Sequence, residues 1–411
     1  METYAFVLGR QPEFSVAEIL ARLEAIDPLG QAWRVVSMDS EILLVRLGLR
    51  QSVVEFFETL GGAVKVVQVR ESRSAFPPVE EAVRWIGEQL ASEAGDSGRV
   101  LFGISLYGRS IPPALGKIAP RVKESLSQRD IASRYVEPSE GKKRHLSSAQ
   151  VEKTGLLTSG AEIVLVSQGE QLHFGKTLQV QRFEDIARRD YGKPERRIES
   201  GLLPPKFARI LVNLAGSDEG TRLLDPFCGS GVLLMEGALL GCRMTGVDCS
   251  QEAVDASRAN LEWLEGQGAK VPPWEVLRSD ARQLVGRFGP FAFDAIAGEG
   301  DLGPAFHGPV RKKTIQGLVK RLKKLYTTSL SELRSVVRPG GRVVLALPRW
   351  VLEEGDSVGL GLGPWIRLMG YRERLVFEAC GELAPPEWTR RRLIYHRPGQ
   401  TTAREVFCLE A

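Results

Sequence analysis

The second half of the chain predicts an α/β fold on a largely parallel, doubly wound sheet. Three observations carry this. Strand and helix patterns alternate from Leu223 to Leu347. A strand ending in Leu223-Leu224 passes through Asp225-Pro226-Phe227-Cys228 into the turn Gly229-Ser230-Gly231, and Val232 to Leu240 then reads as a helix. Arg392 to His396 and Glu405 to Leu409, around Pro398-Gly399-Gln400, read as a closing antiparallel hairpin. Glycine suits such a turn because it has no side chain to block a ligand and accepts positive φ. Open α/β sheets bind ligands at the carboxyl ends of their strands, which is where Asp225 falls.

The elements follow in order. Tyr4 to Leu8 reads as a strand, and Ser15 to Ile26 as a helix with Val16, Ile19, Leu20 and Leu23 on one face. Ser15 and Glu18 have the spacing of a capping box. Trp33 to Met38 and Ile42 to Leu47 read as a strand pair, Val53 to Leu60 as a helix and Ala63 to Val69 as a strand, an α+β order of ferredoxin-like type. A break at 74–78 opens a second α+β stretch. Its helices are 79–91, 112–126 and 147–155; its strands are 100–106, 133–136, 163–167, 171–177 and 180–182. The expected domains are therefore 1–72, 73–182 and 183–411. In the last, strands at 243–247, 274–278, 291–297 and 342–347 alternate with helices at 207–214, 250–264 and 314–337.

With 411 residues the chain fits two or three domains. Its 43% hydrophobic and 26% charged residues are those of an ordinary globular protein. No apolar run reaches the ~18 residues of a spanning helix, so no membrane partner is expected. The first ten residues read as a strand, not a signal peptide. Five cysteines without CxxC spacing point to a reducing compartment, here the cytoplasm, and four scattered histidines predict no metal centre. The net charge of +4 is unevenly placed: Gly108 to Arg209 carries 19 Lys+Arg against 12 Asp+Glu, and Arg311 to Lys324 holds seven basic residues and no acid. Clustered positive charge is the footprint of a polyanion, though a solvated face has the same composition.

The glycine turn separates two cofactor classes. Dinucleotide sites need a third glycine, and Leu234 stands there. The run Asp225-Pro226-Phe227-Cys228-Gly229-Ser230-Gly231 instead resembles the first motif of class I S-adenosylmethionine (SAM) methyltransferases that modify exocyclic amines of RNA or DNA. Ser133-Arg134-Tyr135-Val136 and Leu146-Ser147-Ser148-Ala149-Gln150-Val151 resemble words of the RNA-binding THUMP domain. The connector Arg188-Arg189-Asp190-Tyr191-Gly192-Lys193-Pro194, continuing to Arg209, completes a resemblance to the archaeal and eukaryotic THUMP-domain tRNA guanosine-10 N2-methyltransferase family over nearly the whole chain. That resemblance implies a Rossmann-like SAM methyltransferase domain preceded by ferredoxin-like and THUMP-like domains.

It also implies site residues. Asp225, Phe227 and the Gly229–Gly231 backbone would face the amino-acid end of SAM. Asp248, ending the next strand, would grip the ribose, and Asp280 with Ala281 would meet the adenine. Three acids at successive strand ends are the physical core of that reading. The related families place Asp/Asn-Pro-Pro-Tyr/Phe after the fourth strand, to hold the base amine and stack on the base. Here the stretch is Gly298-Glu299-Gly300-Asp301-Leu302. Glu299, with Asp301, is the candidate catalytic acceptor. Without the prolines the loop is expected to be looser, and Phe227, Phe306 or Trp350 are candidates to replace the missing stacking aromatic. Lys117, Arg121, Lys142, Lys143 and Arg144 are candidate contacts to tRNA or another structured RNA. Two alternatives stay open: an RNA-binding protein that keeps a SAM pocket without turnover, and a DNA amino-methyltransferase.

Overall fold

A computed structural model describes the chain apart from residues 75–76, 109–110, 112, 140–143, 197–202, 307, 390–391 and 398, and the side chain at 114. Two compact units emerge. The first takes residues 1–12, 29–59 and 63–183; the second takes 13–28, 60–62 and 184–411.

In chain order the first 191 residues form β1 (Glu2–Leu8), α1 (Pro12–Ile26), β2 (Trp33–Met38), β3 (Ile42–Leu47), α2 (Val53–Glu58), β4 (Ala63–Arg73), α3 (Val79–Ala94), β5 (Arg99–Tyr107), α4 (Ala119–Ser127), β6 (Ala132–Val136), α5 (Ser148–Lys153), β7 (Gly160–Gln168), β8 (Gln171–Val180) and α6 (Phe183–Tyr191). All eight strands share one sheet, ordered β2-β3-β1-β4-β8-β7-β5-β6. The expected division at 72/73 falls at the end of β4, which pairs with β1 on one side and β8 on the other. The helix expected from 112 is a 3-10 turn, Pro113–Lys117, followed by α4.

The Leu146–Val151 word holds this unit together. Ser147 caps α5 in a full capping box with Gln150. The Leu146 N–H donates to Ser105 Oγ at 2.9 Å, and its carbonyl accepts from Lys65 Nζ at 2.8 Å. Lys65 is 1% exposed and ion-paired with the buried Glu162, so its charge enters the interior already compensated.

The second unit contains α1 and then α7 (Pro205–Leu214), β9 (Arg222–Asp225), α8 (Val232–Leu239), β10 (Arg243–Asp248), α9 (Gln251–Gly266), β11 (Glu275–Arg278), α10 (Leu284–Phe288), β12 (Ala295–Glu299), α11 (Lys312–Val336), β13 (Arg342–Val351), β14 (Ser357–Val358), α12 (Gly363–Leu368), β15 (Arg372–Glu373), α13 (Pro386–Thr389), β16 (Leu393–Tyr395) and β17 (Thr402–Glu410). Its sheet runs β11-β10-β9-β12-β13-β17-β15, with β14 on β13 and β16 on β17. Pairings from β11 to β13 are parallel, and those of β17 are antiparallel. The strand order reverses between β9 and β12, so the tips of β9, β10 and β12 open onto one crevice.

Helix α1 corrects the capping-box expectation. The helix begins at Pro12, so Ser15 and Glu18 lie inside it, 1% and 0% exposed. Residues three apart share a helix face, and this face is buried. Ser15 Oγ donates to the Gly62 carbonyl at 2.9 Å. The Glu18 carboxylate accepts from the Gly61 N–H, the Gly62 N–H and Asn213 Nδ2, each at 2.7 Å. Phe14 packs edge-on against Phe207 and Tyr395, and Glu24 pairs with Arg342 and Arg374.

Candidate functional site

The strand tips of the second unit surround a cleft of ≈ 1210 Å³, lined among others by Asp225, Phe227, Gly229, Asp248, Asp280, Ala281, Glu299, Asp301 and Leu302. Asp225 ends β9 and is 2% exposed. The Phe227 N–H donates to its Oδ1 at 3.1 Å. Burial raises its pKa well above the ordinary carboxylate value, and the neighbouring Asp248 and Glu299 push the same way. Such a carboxyl becomes a good anion when a cation arrives.

The turn that follows needs its glycines. Gly229 and Gly231 have φ +53° and +77°. A Cβ on Gly231 would lie 3.0 Å from Ser257 Oγ, whereas at Gly229 nothing but a carbonyl at 4.0 Å stands nearby. Gly231 packs the turn onto α9, and Gly229 leaves the turn open above. Asp248, ending β10, accepts the Gly229 N–H at 3.1 Å on one oxygen and the Ser250 N–H at 2.9 Å on the other. Each oxygen keeps a second lone pair, the capacity a pair of vicinal hydroxyls requires.

Asp280 lies in the cleft wall, but Arg282 grips both its oxygens, with Nε at 2.9 and 3.1 Å and Nη2 at 2.5 Å. That pairing lowers the Asp280 pKa. Ala281, beside it, is 5% exposed.

Glu299 is the last residue of β12, two residues beyond the strand end expected from sequence. Its carboxylate is ion-paired with Arg404 on β17. Burial raises the Glu299 pKa, and the Arg404 charge opposes that rise. The neighbouring Gly298 has no room for a side chain: a Cβ there would sit 2.9 Å from Asp225 Oδ1.

The loop after Glu299 is held firmly, against the expectation of looseness. The Gly300 N–H donates to the Ala346 carbonyl at 3.0 Å. Tyr326 Oη donates to the Asp301 carbonyl at 2.6 Å, Arg321 to Asp301 Oδ2 at 3.1 Å, and the Gly303 N–H to Asp301 Oδ1 at 2.7 Å. Helix α11 supplies two of these anchors, so hydrogen bonds replace the stiffness of prolines. Glycine at 300 is the condition for this, since a Cβ would lie 2.4 Å from Tyr326 Oη. Asp301 is thereby engaged in holding the loop.

Of the candidate stacking aromatics, Phe227 lines the cleft and meets Tyr326 edge-on at 5.9 Å. Trp350 is 0% exposed inside the core, so it cannot stack on a base; the alternation of β13 turns it inward. Phe306 is half-buried and packs against the core.

The connector is tied down on the same side. Arg189 and Arg209 both bind the buried Glu236 of α8, at 2.6 and 2.7 Å. Lys193 Nζ donates to the last carbonyls of α6, and Asn260 holds both the N–H and the carbonyl of Glu195. Arg196 and Leu203 then line the cleft.

The candidate RNA contacts sit in the first unit. Lys117 is exposed. Arg121 pairs with Glu80 at 2.8 Å, and Arg144 Nη2 donates to the Gly108 carbonyl at 3.0 Å. Lys142 and Lys143 lie outside the described residues. Among the described residues no cluster of His, Cys, Asp and Glu could hold a metal ion, and no helix is long and apolar enough to cross a membrane.

Sequence reasoning missed Arg404, Tyr326, Arg282 and Glu236. Arg404 and Glu236 had a readable signal, a charge inside an otherwise buried strand or apolar helix, which requires a partner. Tyr326 and Arg282 had none.

The chain is similar to several known proteins. A tRNA (guanine(10)-N2)-dimethyltransferase of Methanothermobacter thermautotrophicus is 35% identical over 151 residues, covering 37% of this chain and 40% of that protein. One of the same description from Pyrococcus abyssi is 29% identical over 188 residues, 45% of this chain and 50% of that protein. The match thus spans half or less of the length of either relative. The crystal structure of TrmN from Thermus thermophilus shares the fold over 99% of both chains, with a TM-score of 0.50 at 19% identity. Residues 194–284, which carry the glycine turn and the Asp225, Asp248 and Asp280 tips, match the family described as UPF0020: RMKL-like, methyltransferase domain.

Proposed function

We propose that this chain is a SAM-dependent RNA methyltransferase that modifies the exocyclic N2 of guanine in tRNA, with its second unit doing the chemistry and its first, THUMP-like unit gripping the RNA in the cytoplasm. One observation carries the SAM reading: Asp225 and Asp248 end adjacent parallel strands around a glycine turn with open space above Gly229. The residues fit the cofactor. Asp225 suits the ammonium end, the lone pairs left on Asp248 suit the ribose hydroxyls, and Ala281, in the cleft wall, would offer its backbone N–H to the adenine. Asp280 would contribute there only by sharing its carboxylate with Arg282. When bound, SAM supplies an electrophilic methyl group on a sulfonium.

The chain's own residues do the positioning. A guanine amine is a poor nucleophile, because its lone pair is delocalised into the ring. Glu299, fixed by Arg404, would accept an amine hydrogen and aim that lone pair, while Phe227 offers a ring face at the cleft wall. Orientation of this kind contributes up to ~7–11 kcal/mol when geometry is ideal. Arg196, Arg282, Arg321 and Lys324 line the cleft and would meet phosphates. The names of the two tRNA-modifying relatives support the substrate.

The test is transfer of tritium from methyl-labelled SAM to bulk tRNA and to duplex DNA, followed by nucleoside analysis. Label recovered as N2-methylated guanosine, and lost on Glu299→Ala, supports the proposal. Tight SAM binding without transfer supports a non-catalytic RNA-binding protein, and label in DNA alone supports a DNA amino-methyltransferase.

A further inference from the structure

We propose that the solvent face of α11 is a track that leads the backbone of the substrate RNA into the cleft. This rests on the reading of the cleft as an RNA methyltransferase site, and it assigns that site a second RNA-binding surface, in the catalytic unit itself.

Helix α11 buries Ile315, Leu322, Tyr326, Leu330 and Leu333. At 3.6 residues per turn, Lys313, Lys320 and Lys324 fall in one line on the opposite side, and all three are exposed. Gly317, within the line, adds no side chain, and Lys312 and Lys323 flank it. The ion pairs at this end of the helix use Arg311 with Glu353 and Arg321 with Asp301. Among the described residues no carboxylate pairs with Lys312, Lys313, Lys320, Lys323 or Lys324. A charged face that serves only solubility mixes signs; this one has a single sign over three turns.

Its direction matters as much as its charge. From Lys313 to Lys324 the helix rises ~16 Å, and the far end, Arg321 and Lys324, forms part of the cleft wall. A strand rising ~3.4 Å per nucleotide would lay a few phosphates along it. The same helix anchors the Asp301 loop, so RNA seated on the stripe would meet the loop that presents Glu299. A membrane surface is a poorer match, since the apolar face of α11 is already buried.

The test is the salt dependence of tRNA binding by the full-length chain, followed by fluorescence anisotropy, in wild type, Lys313→Gln/Lys320→Gln, Lys313→Arg/Lys320→Arg and Lys270→Gln. Lys270 is an exposed control between α9 and β11. If both lysines meet phosphates, the Gln pair lowers the slope of log affinity against log salt by about 1.4–1.8. The Arg pair keeps the slope, and Lys270→Gln leaves it within error. An unchanged slope in the Gln pair overturns the track, whether or not the protein turns over. A lowered slope without label transfer by wild type keeps the track and removes the catalytic reading.

Discussion

The Glu299 carboxylate at the tip of β12 is ion-paired with the Arg404 guanidinium of β17, their side chains 12% and 4% exposed. Removing one partner of such a pair leaves a buried charge uncompensated, at a cost of about 3–5 kcal/mol. Arg404→Gln should therefore destabilise the protein by that order. The pH dependence has a definite sign. The folded pKa of Glu299 is raised, so its contribution is fully present below the unfolded value and lost as pH rises through the folded one. Arg404→Gln raises that pKa further. Its loss of stability in urea unfolding should be larger at pH 8 than at pH 5, and Glu299→Gln in the same chain should recover most of it.

Asp225 should set SAM affinity against stability. Its carboxyl is buried and its pKa raised well above the ordinary value, so an acid at this position costs the free protein stability once pH exceeds the ordinary carboxylate range. Asp225→Asn should raise the melting temperature of the free protein at pH 7.5. It should weaken SAM binding by roughly tenfold to a hundredfold, the order expected for a lost charge-assisted hydrogen bond. In wild type, SAM affinity should rise with pH above the ordinary carboxylate range as the Asp225 anion forms. In the Asn variant that dependence should flatten, and calorimetry checks both.

Tyr326 anchors the loop that follows Glu299. Tyr326→Phe removes the 2.6 Å bond to the Asp301 carbonyl. It should cost about 1 kcal/mol of stability and lower kcat of methyl transfer severalfold, with SAM affinity unchanged. Gly300→Ala would press a methyl against Tyr326 Oη, a strain costing about 1–3 kcal/mol. The two changes should be strongly non-additive in unfolding experiments.

Helix α1 belongs to the second unit although it stands near the start of the chain. Phe14 covers Phe207 and Tyr395, Glu18 binds Asn213, and Glu24 binds Arg342 and Arg374. A fragment of residues 184–411 should lack a cooperative thermal transition by calorimetry.

Much of this was legible in the sequence, and the remainder had a common cause. The glycine turn, Asp225 and Asp248 were readable because parallel strands put their tips, and the residues just after them, on one edge. The final hairpin was readable from alternation and its turn. The role of Ser15 and Glu18 was not, because i,i+3 spacing marks equally a helix start and a buried helix face. Trp350 could not be told from a stacking residue, since its direction depends on the register of β13. The firmness of the loop at 300–303 was hidden because its anchors, Tyr326 and Arg321, lie more than fifteen residues away on another element. Arg404 was readable in principle, as a charge in a buried strand, which requires a partner.

The tips of β9 and β10 would together enclose one SAM molecule. Calorimetric titration of the 411-residue chain with S-adenosylhomocysteine is the decisive measurement. One site per chain is expected, weakened at least tenfold by Asp248→Asn, which keeps an acceptor for the turn while losing the charge. Absence of heat with both S-adenosylhomocysteine and SAM, or binding that Asp248→Asn and Asp225→Asn leave unchanged, would contradict it.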